Sequence, residues 1–217
     1  MNKYLILLII LLTVSGVYGQ EEPYFEGTIS YEVELKGPQA PIIQENEPNT
    51  QMQMHIKGAS YITVLKGGRY PKTFIFVADS NREYSVNYES KMAYRFSAYS
   101  DRVKEQKARP KAVATGQLAM VNEIECEVFK VKTEDSYFLY FVNEAYRVNL
   151  ALYPEKIRAR PFFLIDGLEG RIPLKVIKKQ RGLTVTQLAK TIKPKIFDEA
   201  QFKIPSNFTV KNRDLRH

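Results

Sequence analysis

The segment from Lys72 to Ser97, KTFIFVADSNREYSVNYESKMAYRFS, constrains the fold of this chain more than any other. Phe74, Phe76 and Ala78 recur on alternate positions, as do Tyr84, Val86 and Tyr88, and then Met92, Tyr94 and Phe96. Side chains alternate across a strand, so a period of two predicts three short strands, each with one apolar face. Asp79-Ser80-Asn81 and Glu89-Ser90-Lys91 supply the polar turns between them. Fixing the backbone costs about 1–2 kcal/mol per residue, more than the aromatics of so short a stretch return. The meander therefore needs a cover from elsewhere in the chain.

The same period recurs along the sequence. Phe25, Gly27, Ile29, Tyr31, Val33 and Leu35 alternate with Glu26, Thr28, Ser30, Glu32, Glu34 and Lys36, which predicts an antiparallel strand with one wet side. Met52, Met54 and Ile56 repeat the pattern, and Ser60 to Leu65 forms a further strand closed by Gly67-Gly68. Between them, the stretch from Gly37 to Thr50 carries Pro38, Pro41 and Pro48 without a period and reads as a loop or lid. Asp101 to Lys111 reads as a polar surface loop or one helical turn. Ile124 to Val131 is a strand with Glu123, Glu125 and Glu127 on one side. Those carboxylates either line its solvated face or offer a cation site. Tyr137 to Val142, YFLYFV, lacks alternation and predicts burial on both faces. A short helix is expected between Tyr146 and Arg158. Strands follow from Arg171 to Lys179 and from Leu183 to Ile192. About ten strands on short connections, with little helix and no repeat, predict a mainly β chain. The expected fold is one antiparallel, strongly curved sheet or half-open β-barrel, with one or two short helices.

The first 19 residues stand apart. Lys3 precedes an apolar run from Tyr4 to Val14, too short for the roughly 20 residues that span a bilayer. Val17 and Gly19 place modest side chains where a signal peptidase reads, predicting a signal peptide over residues 1–19 cleaved between Gly19 and Gln20. The remainder, residues 20–217, is expected to be a single β-rich domain in the periplasm or secreted. Its one cysteine, Cys126, excludes an internal disulfide and reads as a buried small hydrophobe.

Chemistry is sparse. The only histidines are His55 and the last residue, His217, and His55 falls on the polar side of its strand, where it is expected to face solvent. No closed zinc spacing, phosphate loop, dinucleotide fingerprint or nucleophile elbow occurs. The sequence thus points to a non-enzymatic protein without cofactor or metal. The net charge of +8 is uneven, with seven acids against Lys36 between Gln20 and Thr50, and eleven bases against three acids between Glu155 and Lys195. Such asymmetry suits an anionic membrane surface or an acidic envelope partner, or it is the solvated outer side of antiparallel strands. Export and the absence of a binding motif argue against nucleic acid.

The order of segments resembles a known group. An opening FEGTISYEVEL strand is followed by a glycine-ended segment and the aromatic meander. NEIECEVFKV with a central cysteine comes next, then GLEGRIPLKV and a closing DEAQFKIPSNF. This succession resembles uncharacterised envelope proteins grouped with the periplasmic lipoprotein-carrier (LolA-like) superfamily. The resemblance implies a half-open barrel whose concave face holds an acyl chain or similar ligand. The candidate lining is then Phe25, Ile29, Tyr31, Met52, Met54, Phe74, Phe76, Tyr84, Tyr94 and Phe96, with the methionines as an adaptable wall. Read without the resemblance, the same apolar stripes are equally a plain packed core. In that case the chain is an envelope interaction protein with a filled core and a basic partner-binding surface.

Overall fold

The computed structural model describes residues 24–46, 48–97, 110–153 and 164–212. The expected cleavage site at Gly19 and Gln20 lies outside these residues, as do most of the 101–111 loop and the second half of the helix expected before Arg158.

The fold is mainly β, as the alternation predicts. The first half supplies β1 (Gly27–Lys36), β2 (Gln51–Lys57), β3 (Ser60–Lys66), β4 (Lys72–Val77), β5 (Arg82–Asn87) and β6 (Met92–Ser97). The second half supplies β7 (Val113–Val121), β8 (Ile124–Lys132), β9 (Tyr137–Arg147), β10 (Arg171–Gln180), β11 (Leu183–Pro194) and β12 (Thr209–Asn212). They form one open, curved sheet in the order β12-β6-β5-β4-β3-β2-β1-β11-β10-β9-β8-β7. Every pairing is antiparallel except β12 with β6, which is parallel. Among the described residues the helical content is α1 (Ala40–Gln44), inside the proline-bearing loop, and two 3-10 turns at Leu150–Leu152 and Glu199–Phe202.

β1 is the hinge of the sheet. It pairs with β2 on one side and β11 on the other, and a register shift between Ser30 and Tyr31 marks a bulge in the β1–β11 ladder. Bulges bend the strand and increase local twist. Across this bend one hydrophobic cluster joins Ile29, Met54, Ile56, Tyr61 and Phe76 from the first half with Cys126, Val128, Phe141, Ile172 and Leu174 from the second. The Tyr31 hydroxyl donates to the Pro173 carbonyl at 3.1 Å, and the Asn122 amide, at the tip of the β7–β8 hairpin, donates to the Ala189 carbonyl. YFLYFV behaves as its composition predicts. Leu139 and Phe141 feed this cluster, while Phe138, Tyr140 and Val142 feed a second with Phe129, Leu168 and Val176.

Residues 195–208 cross the outer side of β2–β6 as a strap. Phe197 meets the His55 ring edge-on at 5.4 Å, and Ile204 and Phe208 pack on Ile75, Val86 and Ala93 before the chain ends beside β6 as β12. His55 is therefore half-buried under the strap rather than solvent-facing, which corrects the sequence expectation.

Candidate functional site

The ten residues expected to line a ligand surface do not share one. Strands β1 to β6 pair without a shift, so register fixes their faces. Ile29 stands opposite Met54, Met54 opposite Thr63, Thr63 opposite Phe74, Phe74 opposite Ser85, and Ser85 opposite Tyr94. Phe74, Phe76, Tyr94 and Phe96 thus lie on the face of Ile29, Tyr31, Met52 and Met54. Tyr84 does not. It pairs with Ile75 and packs in the outer cluster under the strap, because the four-residue turn 78–81 sets Val77 opposite Arg82. A shift of one residue in pairing moves a whole strand's side chains to the other face.

Nor is the shared face an open wall. Phe25, Ile29, Tyr31, Met52, Met54 and Phe76 belong to the packed core cluster, and Ile29, Met54 and Phe76 are wholly buried. Tyr61 stacks on Phe76 with ring centres 5.2 Å apart, and Phe25 meets Tyr146 edge-on at 5.8 Å. Burial raises the Tyr31 hydroxyl pKa far above its ordinary value. Phe96 is buried, Phe74 half-buried, and Tyr94 is exposed at the far end of the sheet.

Open space lies instead beside β1, where β11 bulges. A cavity of about 240 Å³ is bounded by Ser30, Tyr31, Met52, Gln53, Val64 and Lys66. A second of about 570 Å³ is bounded by Val33, Glu34, Leu35, Gln44, Thr50, Thr186 and Leu188. Both are also lined by Glu32, Gln51 and Lys190, so the two are lobes of one cleft. The extra β11 residue of the bulge, Lys190, stands on its shared wall. Beyond Glu32, β1 leaves its ladder with β2, whose pairing ends at Gln51, while β11 continues alongside. The connection through α1 then returns over the gap, and Val33 donates its amide to the Thr50 carbonyl at 2.8 Å. Lys190 and Glu32 form an ion pair at 3.0 Å across the cleft's shared wall. Gln187 donates to the Met52 sulfur at 3.6 Å. Of the ten predicted residues, Tyr31 and Met52 border this cleft, but their side chains point to the opposite, core face. Val33 and Leu35 were visible as members of an apolar alternation and Leu188 as part of the expected strand from Leu183 to Ile192, but nothing in the pattern announces the bulge beside them.

The remaining chemical groups are structural in setting. Arg171 is the one charged residue fully buried among those described, and its guanidinium lies 4.7 Å from the Phe129 ring centre. It donates to the Leu168 carbonyl at 3.0 Å and to Glu127 at 3.2 Å, with Glu144 and Glu169 each at 3.7 Å. Glu127 is thus tied to Arg171, and Glu123 and Glu125 are exposed. Among the described residues no group of carboxylates, histidine and cysteine is placed to hold a metal ion. The Cys126 thiol is buried, which pushes its pKa up to about 11.

No family model matches the sequence, and no curated protein does. Among solved structures, an uncharacterized conserved protein from Thermus thermophilus aligns with a TM-score of 0.50 at 9% identity, over 86% of this chain and 91% of that one. PNGF-II aligns at a TM-score of 0.48 and 7% identity, over 87% of this chain and 32% of that one. LprF from Mycobacterium bovis aligns at 0.34 and 8%, over 85% and 90%. The Thermus likeness shows a shared fold and extends no further.

Proposed function

We propose that the protein is exported and non-enzymatic, of the lipoprotein-carrier (LolA-like) kind, and that it binds or carries a hydrophobic, acyl-like ligand. The ligand lies in the cleft beside β1 at the β11 bulge rather than on the aromatic meander. The observation that carries this reading is the cleft's lining. Val64 and Leu188 offer apolar surface on the face that carries Ser30, Glu32, Glu34, Gln51, Gln53 and Thr186, and Lys66 and Lys190 stand where an anionic head group finds counter-charge. Small-molecule sites are concave, mostly apolar, and roughly 300–1,000 Å³ with a few placed polar groups, and the larger lobe falls in that range. The order of sequence motifs and the open, curved sheet support the same reading. Titration with a fluorescent acyl probe tests it, because Leu188→Lys should weaken saturable binding by at least tenfold while Tyr94→Ala leaves it unchanged. Absence of saturable binding by the unaltered protein would overturn it.

A second reading has its own support. The packed state of Ile29, Met54 and Phe76 fits an envelope interaction protein with a filled core and a basic surface facing its partner. That reading predicts a salt-sensitive partner in a pull-down and no acyl-probe binding.

A further inference from the structure

The two edges of the sheet are unlike. At one end β12 has four residues, including Lys211, and is held parallel to β6. At the other end β7 has nine residues, VATGQLAMV, with neither a charge nor a proline, and its only partner among the described strands is β8. Sheet edges are ordinarily guarded by charge, proline or shortness, because their free N–H and C=O groups template pairing. β7 has one such guard, a bulge. The register slips between Ala114 and Leu118 around Gly116, whose φ is +74°, and Thr115 turns its hydroxyl to the Val128 carbonyl at 2.8 Å. Leu118 to Val121 lie beyond the bulge and pair regularly with β8. In this unguarded part Leu118 and Met120 are 62% and 63% exposed.

The hairpin decides which backbone groups are free. Asn122 and Glu123 form a two-residue turn with both φ values positive, the geometry of a tight primed hairpin. The residues flanking such a turn, Val121 and Ile124, exchange both hydrogen bonds, and the pattern then alternates. Ala119 bonds to Cys126, whereas Leu118 and Met120 direct their N–H and C=O groups at the edge, which no strand among the described residues pairs. The two residues with exposed apolar side chains are therefore also the two with outward backbone groups.

We propose that β7 is a homodimer interface, in which it pairs antiparallel with β7 of a second copy about a two-fold axis at Ala119. In that register Leu118 of each copy stands opposite Met120 of the other, and all four outward backbone groups of each copy are satisfied. The four exposed apolar side chains come together in one patch, and the bulge stays outside the ladder. A two-fold interface requires this self-complementarity, in which residue i meets j and j meets i. Charge does not oppose it. The acidic row Glu123, Glu125 and Glu127 lies one strand behind β7, so the two rows stand three strand spacings apart, roughly 14 Å. That exceeds the screening length of about 8 Å at physiological salt. The ladder is short against the roughly 1,200–2,000 Å² of a stable interface, so the dimer is reversible and depends on concentration.

Sedimentation equilibrium over a micromolar-to-millimolar series tests the proposal together with hydrogen exchange at the two ends of that range. The expected result is a monomer–dimer equilibrium with amide protection of Leu118 and Met120 that grows with concentration. The double variant Leu118→Lys/Met120→Lys should weaken it at least tenfold, and Val210→Lys on the opposite edge should leave it intact. A monomer at every concentration overturns the proposal. So does a dimer that the double variant does not weaken, assembly beyond dimers, or exchange at Leu118 and Met120 that is indifferent to concentration. Protection there that appears only on adding another protein would overturn it too, by giving the edge a different occupant. The exchange readout needs no variant, so misfolding of the lysine variants leaves the test standing.

Discussion

The Tyr31 hydroxyl reaches the carbonyl of Pro173, 142 residues away in sequence and two strands over in the sheet, at 3.1 Å in a buried setting. It ties β1, just past the bulge in its β11 partner, to the bulged stretch of β10. Tyr31→Phe keeps the ring and removes the donor. An orphaned buried carbonyl costs about 1–3 kcal/mol, so the urea midpoint should fall by that equivalent. A midpoint equal to that of the unaltered protein would mean water replaces the hydroxyl.

The aromatic face is graded along its length. Phe76 is wholly buried against Tyr61, and Phe76→Ala should cost about 3–5 kcal/mol. Tyr94 shares its face but is exposed at the sheet's far end, and Tyr94→Ala should cost less than about 1 kcal/mol. Chemical denaturation of the two variants side by side checks the gradient. Equal losses would contradict the placement of the core.

His55 makes the fold sensitive to acid. Its Nδ1 lies 2.8 Å from the Thr28 hydroxyl, and burial together with Lys195 and Lys66 holds its pKa below the usual 6.5. The unfolded chain takes up the proton first as pH falls. Stability from this site is therefore complete above pH 6.5 and is lost as pH drops from there through the lower folded value. Because Phe197 packs on the ring, the strap should exchange its amides faster over the same interval. His55→Gln should remove this pH dependence below pH 6.5, and a slope unchanged in that variant would assign it elsewhere.

Arg171 is buried among exposed carboxylates. Removing it leaves those acids able to rehydrate, so the main loss is packing on Phe129 together with the charge-assisted bonds. Arg171→Ala should cost about 2–3 kcal/mol, and Arg171→Met should recover part of that by refilling the space. Thermal unfolding at low and high salt separates the two contributions. A methionine variant no better than alanine would place the whole effect in the charge.

Alternation made most of this sheet legible, and its failures have physical causes. Ile29, Tyr31, Met52 and Met54 are buried as their period indicates, and YFLYFV fills two clusters. β7 was not foreseen, because VATGQLAMV has no apolar/polar alternation: Val113, Leu118 and Met120 are all exposed although they fall on both faces of the strand. Tyr84 was placed on the wrong face because alternation gives each strand a period but not its register, which the 78–81 turn decides. β12 follows from a strap that carries Phe197, Phe202 and Phe208 past the outer face, a long-range path with no local signature. The cleft is lined by one extra residue in β11 opposite β1, which hydrophobic patterning does not register.

Native mass spectrometry of protein purified gently from its own host tests the central claim most directly. The cleft reading predicts a mass above that of the bare chain, an extractable acyl-bearing ligand, and loss of that ligand in Leu188→Lys. A mass equal to the bare chain, with no extractable lipid, would contradict it.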